Sequence, residues 1–486
     1  MAHIPLVCPS AFNVAVAGLA LIAGAADAHG TDAFRRARYV QQISADPFAG
    51  AGGSQADTQL QPSVAVDPAD PSVVVAVFAQ GHFNTGGHVD PGFATSHDGG
   101  RTWATGNLPD LTVAVGGSFE LAADPEVTFG PDGSVYALTT GVDRAPGCRS
   151  AVTVQRSDDH GQTFGTPTLI QDDTGCSLFL GFALSDKGRI TSDISSVSPR
   201  RGRLYGTWTH EDRATFSTPV VLRFSDDRGA TWSDLVIVSS TSPLAGGFGA
   251  TPLVQPNGDL TIVYDDFPLG GASRFVAQTS RSGGLDFEAP VLIADDQSRE
   301  VPGLSTKGGG VTFVGAAVDP VRGALFVVWQ DGRLRTDGRN DIVLSRSTDG
   351  GARWDPPALV NADPGRVRNH FTPGVAAYDG MVVVTYTTRD GDAPWVQTRA
   401  SVSADGGTTF GRPHRLGPRG DLRFASTSGD RAILGDTMEV TLHGDTAHAV
   451  WARPAAATRN SSVPYHQRTW AAAISLRSTL GSAGNK

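Results

Sequence analysis

Carboxylate and guanidinium side chains recur together at one kind of place in this chain, just after a short apolar run. The clusters are Gly141-Val142-Asp143-Arg144, His210-Glu211-Asp212-Arg213, Asp331-Gly332-Arg333 and Thr388-Arg389-Asp390, with Arg453 and Tyr465-His466 further on. Two carboxyls facing one pocket can serve as acid and as base or nucleophile, which is the chemistry of glycosidic bond cleavage. An arginine fork can grip an anionic sugar substituent through two parallel hydrogen bonds. The candidate catalytic carboxyls are therefore Asp212, Asp331 and Glu211, and the candidate substrate-binding residues are Arg144, Arg213, Arg333, Arg389 and Arg453. Asp212 and Asp331 stand out because each has an arginine nearby that could set its pKa. The same spacing also fits plain salt bridges between neighbouring strands.

Whatever positions these clusters must repeat. The octet Ser347-Thr348-Asp349-Gly350-Gly351-Ala352-Arg353-Trp354 is a tight turn ending in an aromatic anchor, and it recurs from Ser96, Ser157, Ser225 and Ser403. Asp98, Asp159, Asp227, Asp349 and Asp405 hold the turn position, and Trp103, Phe164, Trp232, Trp354 and Phe410 the anchor. A sixth copy, Ser280 to Phe287, carries Ser282 where the aspartate should stand. The Asp side chain can accept backbone N–H groups of its own turn, and glycine closes it at positive φ. A repeat of roughly sixty residues made of strands predicts a blade-by-blade array.

Ahead of the octets runs a second repeat, an apolar strand, a turn and another apolar strand. Its copies are 62–68 with 73–78, 125–129 with 135–138, 194–197 with 204–208, 252–255 with 260–264, 314–318 with 325–329, 373–377 with 381–386, and 438–442 with 447–451. Seven hairpins against six octets, with an orphan strand at 40–47 and a third strand at 468–476, predict seven four-stranded blades. The N-terminal strand would then seal the last blade; six blades is the alternative. Closure of this kind removes exposed sheet edges.

The octets resemble Asp-boxes, the turn motif of sialidases and many other secreted β-propellers. The likeness runs along almost the whole chain and is nearest to secreted bacterial sialidase-like proteins carrying BNR repeats. Trp329 to Arg333, Asp341-Ile342 and Ile433-Leu434-Gly435-Asp436 resemble recurring segments of that class. The resemblance implies an all-β propeller and makes the box residues structural. It implies a glycan-active protein, a glycoside hydrolase acting on an acidic sugar; a non-catalytic glycan- or protein-binding propeller is the alternative. Sialidases also need an Arg-Ile-Pro motif near the N-terminus, for which this chain has Phe34-Arg35-Arg36-Ala37, so the sialidase mechanism itself is not implied. That family also uses a Tyr nucleophile paired with Glu, and the resemblance makes Tyr465 the further catalytic candidate, while of the few glutamates Glu126, Glu211 and Glu439 stand near plausible pocket positions.

The rest of the chain sets the context. An apolar run from Ala11 to Ala26, followed by the small-x-small triplet Ala26-Asp27-Ala28, reads as an export signal over 1–28. A single propeller domain over 29–479 and a tail over 480–486 follow, in a secreted or periplasmic, monomeric protein. With 59 Gly and 30 Pro in 486 residues, turns punctuate the chain and long helical periodicity is missing. A net charge of −10 argues against nucleic acid as a partner, and no apolar run after the leader could insert in a membrane. Cys148 and Cys176, the pair left once Cys8 departs with the leader, are expected to form a disulfide on the ligand-binding face. No cofactor and no metal is assigned: His82, His88 and Asp90 are irregularly spaced, and Asp172-Asp173, Asp265-Asp266 and Asp295-Asp296 read as solvated turns.

Overall fold

The computed structural model describes residues 32–48, 50–144, 146–177, 184–268, 270–305, 313–363, 367–456 and 464–477. The leader read over 1–28 and the tail over 480–486 lie outside the described residues. The described residues are all-β, their helical content two short 3₁₀ turns at Val113–Val115 and Leu422–Phe424, and no described helix is long and apolar enough to cross a membrane.

The strands pair antiparallel in sets of four. One set is Gln55–Val66, Val74–His82, His88–Ser96 and Ala104–Asn107. The next is Leu121–Phe129, Val135–Asp143, Arg149–Ser157 and Thr168–Thr174. Sets opening at Ser185–Ser192, Gly246–Val254, Gly315–Val318 and Arg368–Tyr378 repeat the order. In the last, Glu439–His443, Thr446–Pro454 and Gln467–Leu476 are followed in space by Phe34–Gln42, which pairs antiparallel with Gln467–Leu476. The N-terminal strand thus lies outermost beside the last one, a few residues earlier than the 40–47 read from sequence. The opening strands of successive sets pack side by side, Arg368–Tyr378 beside Glu439–His443 and that strand beside Gln55–Val66.

Between sets lie small apolar cores, because each sheet presents alternate residues to both neighbours. Trp208 sits between the second and third sets with Leu138 and Val152, and Trp329 between the fourth and fifth with Phe275 and Val263, all essentially inaccessible to water. Burying an aromatic of this size stabilises by several kcal/mol, judging from the ~3–5 kcal/mol cost of truncating one.

The boxes fold as the turn chemistry dictates. Asp405 Oδ1 accepts the N–H groups of Thr408 (3.1 Å) and Thr409 (2.9 Å), its Oδ2 accepts from Thr409 Oγ1 (2.6 Å), and Ser403 Oγ accepts from Gly407 N at 2.9 Å. The same bonds recur around Asp98, Asp159 and Asp227. In Asp98 and Asp159 these donors, the threonine above all in Asp98, hold the carboxyl down to about 2.

One strand departs from its sequence reading. The third hairpin opens with Ser185–Ser192, not 194–197; Ile194 is exposed and Val197 is 76% exposed, both in the turn beyond. The true strand, Ser-Asp-Lys-Gly-Arg-Ile-Thr-Ser, is polar and so does not read as an inner strand.

Candidate functional site

The opening strands carry a feature that repeats with the fold. Their ladders are interrupted by a register shift at Leu60/Ser63, Ala123/Glu126, Asp186/Arg189, Phe248/Thr251 and Phe371/Gly374. Within each shift one residue takes positive φ: Gln61 (51°), Asp124 (49°), Lys187 (57°), Gly249 (65°) and Thr372 (51°). Four of the five have a side chain beyond glycine in a left-handed conformation that costs energy, and a bulge of this kind re-aims the side chain out of the sheet. Gln61, Asp124, Lys187 and Gly249 line one narrow cavity, together with Glu126, Arg189, Phe313 and Asp436.

Lys187 is the hub. Its Nζ donates to Asp124 Oδ1 at 3.0 Å and lies 3.0 Å from Asp436 Oδ2 and 3.7 Å from Asp186 Oδ1. The Asp124 and Asp436 oxygens are therefore no farther apart than twice the shorter of these distances. Gln61 Nε2 bridges the same two carboxylates, 3.2 Å from each. Burial works against ionised Asp124, but Lys187 and a hydrogen bond from Asp186 outweigh it and hold the carboxyl down to about 2. Lys187 answers in kind: burial disfavours its charge, yet the three aspartates raise its pKa well above the ordinary value.

One step further along the strands, Arg189 Nη1 is shared by Glu126 and Glu439. Glu439 also accepts from the Val64 N–H at 3.2 Å. Here the balance tips the other way. Burial, with Glu439 adding its charge, outweighs Arg189 and pushes the Glu126 carboxyl well above the carboxylate range. Two carboxyls separated by one residue on one strand are thus pushed in opposite directions by their surroundings.

At the other end, His88 Nε2 meets Gln61 Oε1 at 3.0 Å, and the two Nδ1 atoms of His82 and His88 face each other at 3.4 Å. Burial keeps both rings neutral, pushing His82 down to about 4 and His88 well below its ordinary value. These histidines line a cavity of about 170 Å³ that shares Gln61, Asp124, Lys187 and Asp436 with the narrow one. A second space of about 130 Å³ lies beside Arg189 and Glu439. Beyond it a channel of about 300 Å³ is walled by the opening strands of the sets described above, from Val64 and Val66 round to Val440 and Leu442. Among the described residues no group of three side chains is arranged to hold a metal ion, and Asp90 turns instead to Thr112 Oγ1 at 2.8 Å.

None of the residues selected from sequence as catalytic or substrate-binding lines these cavities. Asp331 is fully buried and accepts from Trp329 Nε1 (2.7 Å), Arg333 N (2.7 Å) and Arg333 Nε (2.8 Å). Asp212 closes its own turn, taking Ala214 N and Thr215 Oγ1. Glu211 is buried and takes Ser177 Oγ at 2.6 Å. Arg144 pairs with exposed Glu120 and covers the Phe83 ring; Arg389 donates to the carbonyls of Ala393, Pro302 and Asp392; Arg453 donates to the Arg419 carbonyl over the Trp470 ring. Arg213 is exposed and Tyr465 half-buried ahead of the last strand. Cys148 and Cys176 are joined in a disulfide, Cα atoms 4.8 Å apart. Glu126 and Glu439 are in the cavity wall. Asp124, Asp186, Lys187, Arg189 and Asp436 were missed, although Asp436 lies in the Ile433–Asp436 segment singled out above and Lys187 is one of three lysines.

No family model matches the chain, and no curated protein matches it in sequence. Among solved structures it is similar to a protein of unknown function from Dyadobacter fermentans (14% identity, 90% of this chain and 99% of that one, TM-score 0.45). It is also similar to an α-L-arabinofuranosidase of Fusarium graminearum, solved with arabinobiose (13%, 90% and 98%, 0.45). A third is the intramolecular trans-sialidase from Ruminococcus gnavus, solved with oseltamivir carboxylate (14%, 71% and 93%, 0.45). The chain is structurally similar to sialidases and arabinofuranosidases at low identity, a likeness that assigns neither substrate nor site residues.

Proposed function

We propose that this chain is a glycoside hydrolase built on a seven-bladed propeller over 29–479, with its reaction centre where the Asp124–Glu126–Asp436 cluster borders the adjoining spaces of about 170 and 130 Å³. Glu126 is the proton donor to the leaving oxygen, and Asp124, ionised on the same cavity wall, is the carboxylate that acts as base or nucleophile, seconded by Asp436. The observation that carries this reading is the placement of Asp124 and Glu126 two residues apart on one strand and in one cavity wall, each against a different cation, since two carboxyls set in different surroundings can divide the roles of acid and base. Lys187 keeps Asp124 ionised, while Arg189 and Glu439 hold the Glu126 carboxyl in place. The seven opening strands lining one channel support the blade count, and the Cys148–Cys176 disulfide supports export by the leader over 1–28 to an oxidising compartment. The carbohydrate partner would reach a monomeric protein.

The test is turnover of a panel of aryl glycosides by the purified protein, its Glu126→Gln and Asp124→Asn variants, and melting of all three. Loss of about 10²–10⁴ in kcat in each variant is expected. Variants that melt early and retain turnover per folded molecule would show that the cluster only braces the ring.

A further inference from the structure

The charge of this cavity speaks to the sugar it accepts, and the inference below rests on the hydrolase reading above. Among the described residues of the narrow cavity the cations are Lys187 and Arg189. Both are met by carboxylates. Lys187 Nζ has the carboxylates of Asp124 and Asp436 at 3.0 Å and that of Asp186 at 3.7 Å, and Arg189 Nη1 is already divided between Glu126 and Glu439. Five carboxyls thus meet two cations. Even with Glu126 protonated, the described groups do not carry a positive excess.

An arginine that binds a substrate carboxylate must present its fork unengaged, because the bidentate bond is what repays desolvation of both charges. Arg333, Arg389 and Arg453 could not be recruited as they stand: each donates to protein acceptors away from the cavity. A substrate carboxylate would therefore enter a poorly solvated space beside Asp124, Asp436 and Glu439, where like charges repel strongly. Cleavage of a neutral glycoside meets the opposite situation. Positive charge grows on the anomeric carbon and ring oxygen as the bond breaks, and fixed carboxylates aimed at that point stabilise it.

We infer that the sugar bound in the spaces adjoining the Asp124–Glu126–Asp436 cluster, of about 170 and 130 Å³, is uncharged, and that sugars carrying a carboxylate, sialic and uronic residues alike, are excluded. This replaces the acidic glycan expected from the resemblance. The same charge pattern accepts a protonated iminosugar, a stable cation of the size of one sugar ring.

The experiment uses the full chain. Aryl glycosides of neutral pentoses and hexoses are compared with the matching aryl sialoside and glucuronide for kcat/KM. Binding of a cationic iminosugar and of its carboxylate-bearing analogue is measured by calorimetry. The expected result is a preference of at least about 100-fold in kcat/KM for a neutral glycoside, about 2.7 kcal/mol of transition-state discrimination, with iminosugar binding that the added carboxylate abolishes. Preferred cleavage of the sialoside or glucuronide overturns the inference and leaves the hydrolase reading standing. Neutral sugars or the iminosugar bound without turnover of any glycoside uphold the inference and remove the hydrolase. No binding and no turnover of either class overturns both.

Discussion

Ser282 and Asp286 form the hydrogen bond of an Asp-box with donor and acceptor exchanged. In the regular boxes a threonine hydroxyl four residues on donates to the aspartate, as Thr409 does to Asp405; in the sixth box Ser282 Oγ donates to the Asp286 carboxylate, and Asp286 N donates back to Ser282 Oγ at 3.1 Å. The copy that reads as degraded in sequence therefore keeps its side-chain bond, and Gly284 N still meets Ser280 Oγ at 2.7 Å.

The exchange predicts strong coupling between the two positions. Ser282→Asp alone sets two carboxylates against each other, and Asp286→Thr alone removes the acceptor. The double variant Ser282→Asp/Asp286→Thr recreates a regular box and is expected to unfold within about 0.5 kcal/mol of the parent, with a coupling of about 1–3 kcal/mol in a double-mutant cycle. Urea midpoints measure it. Additive single effects would show that the bond contributes nothing.

Phe34–Gln42 is predicted to act as a structural strand and not as a tail. It pairs along Gln467–Leu476, Phe34 stacks on His414 with ring centres 4.0 Å apart, and Asp32 meets His414 Nε2 at 2.9 Å. Deleting 29–47 uncovers a sheet edge and should lower the melting temperature by well over 5 °C and promote aggregation. A truncated chain that melts with the parent would sink the idea.

Asp331 and Glu126 are predicted to fail differently. Asp331→Asn leaves Arg333 without its buried counter-charge and should cost stability, by less than the about 3–5 kcal/mol of a fully buried pair because Arg333 is partly exposed, while kcat/KM per folded molecule stays unchanged. Glu126→Gln should do the reverse. If Asp331→Asn abolishes turnover without changing the melting temperature, the reaction centre lies where the sequence first suggested.

Stability should fall as the solution is acidified from pH 6.5 to about 4, partly through His448. Burial alone pushes this ring down to about 4. The unfolded chain takes up its proton below about pH 6.5 and the native one does not, so the penalty is nil above pH 6.5 and complete near pH 4, on the order of 3 kcal/mol. His448→Leu should flatten the pH dependence of the urea midpoint by up to one proton. An unchanged slope would place the titration elsewhere.

The boxes were legible because their information is local: an aspartate, two glycines and an aromatic within eight residues specify both the turn and its anchor. The apolar second strands, such as Leu325–Asp331 with its buried Trp329, were legible because alternation and β-branching survive in any context. The proposed reaction centre was not, for a physical reason. It sits on opening strands whose polar side chains look inward, and Ser185–Ser192 carries Asp186, Lys187 and Arg189 on what pattern reasoning takes for a loop. The left-handed bulges at Asp124 and Lys187 have no composition signature, since the residues occupying them are ordinary. Conversely, the conspicuous Asp331–Arg333 pair was drawn from a real contact, but one spent on fixing a loop beside Trp329.

The pairing of Phe34–Gln42 with Gln467–Leu476 has a consequence for how the molecule is made. The strand leaves the ribosome before every other described one, and its partner emerges after all of them. For nearly the whole of synthesis it must wait without pairing wrongly with the half-built sheets that follow it. Its sequence suits the wait: Arg35, Arg36 and Arg38 point into water in the finished sheet and would keep the unpaired segment solvated and hard to stack until its place exists.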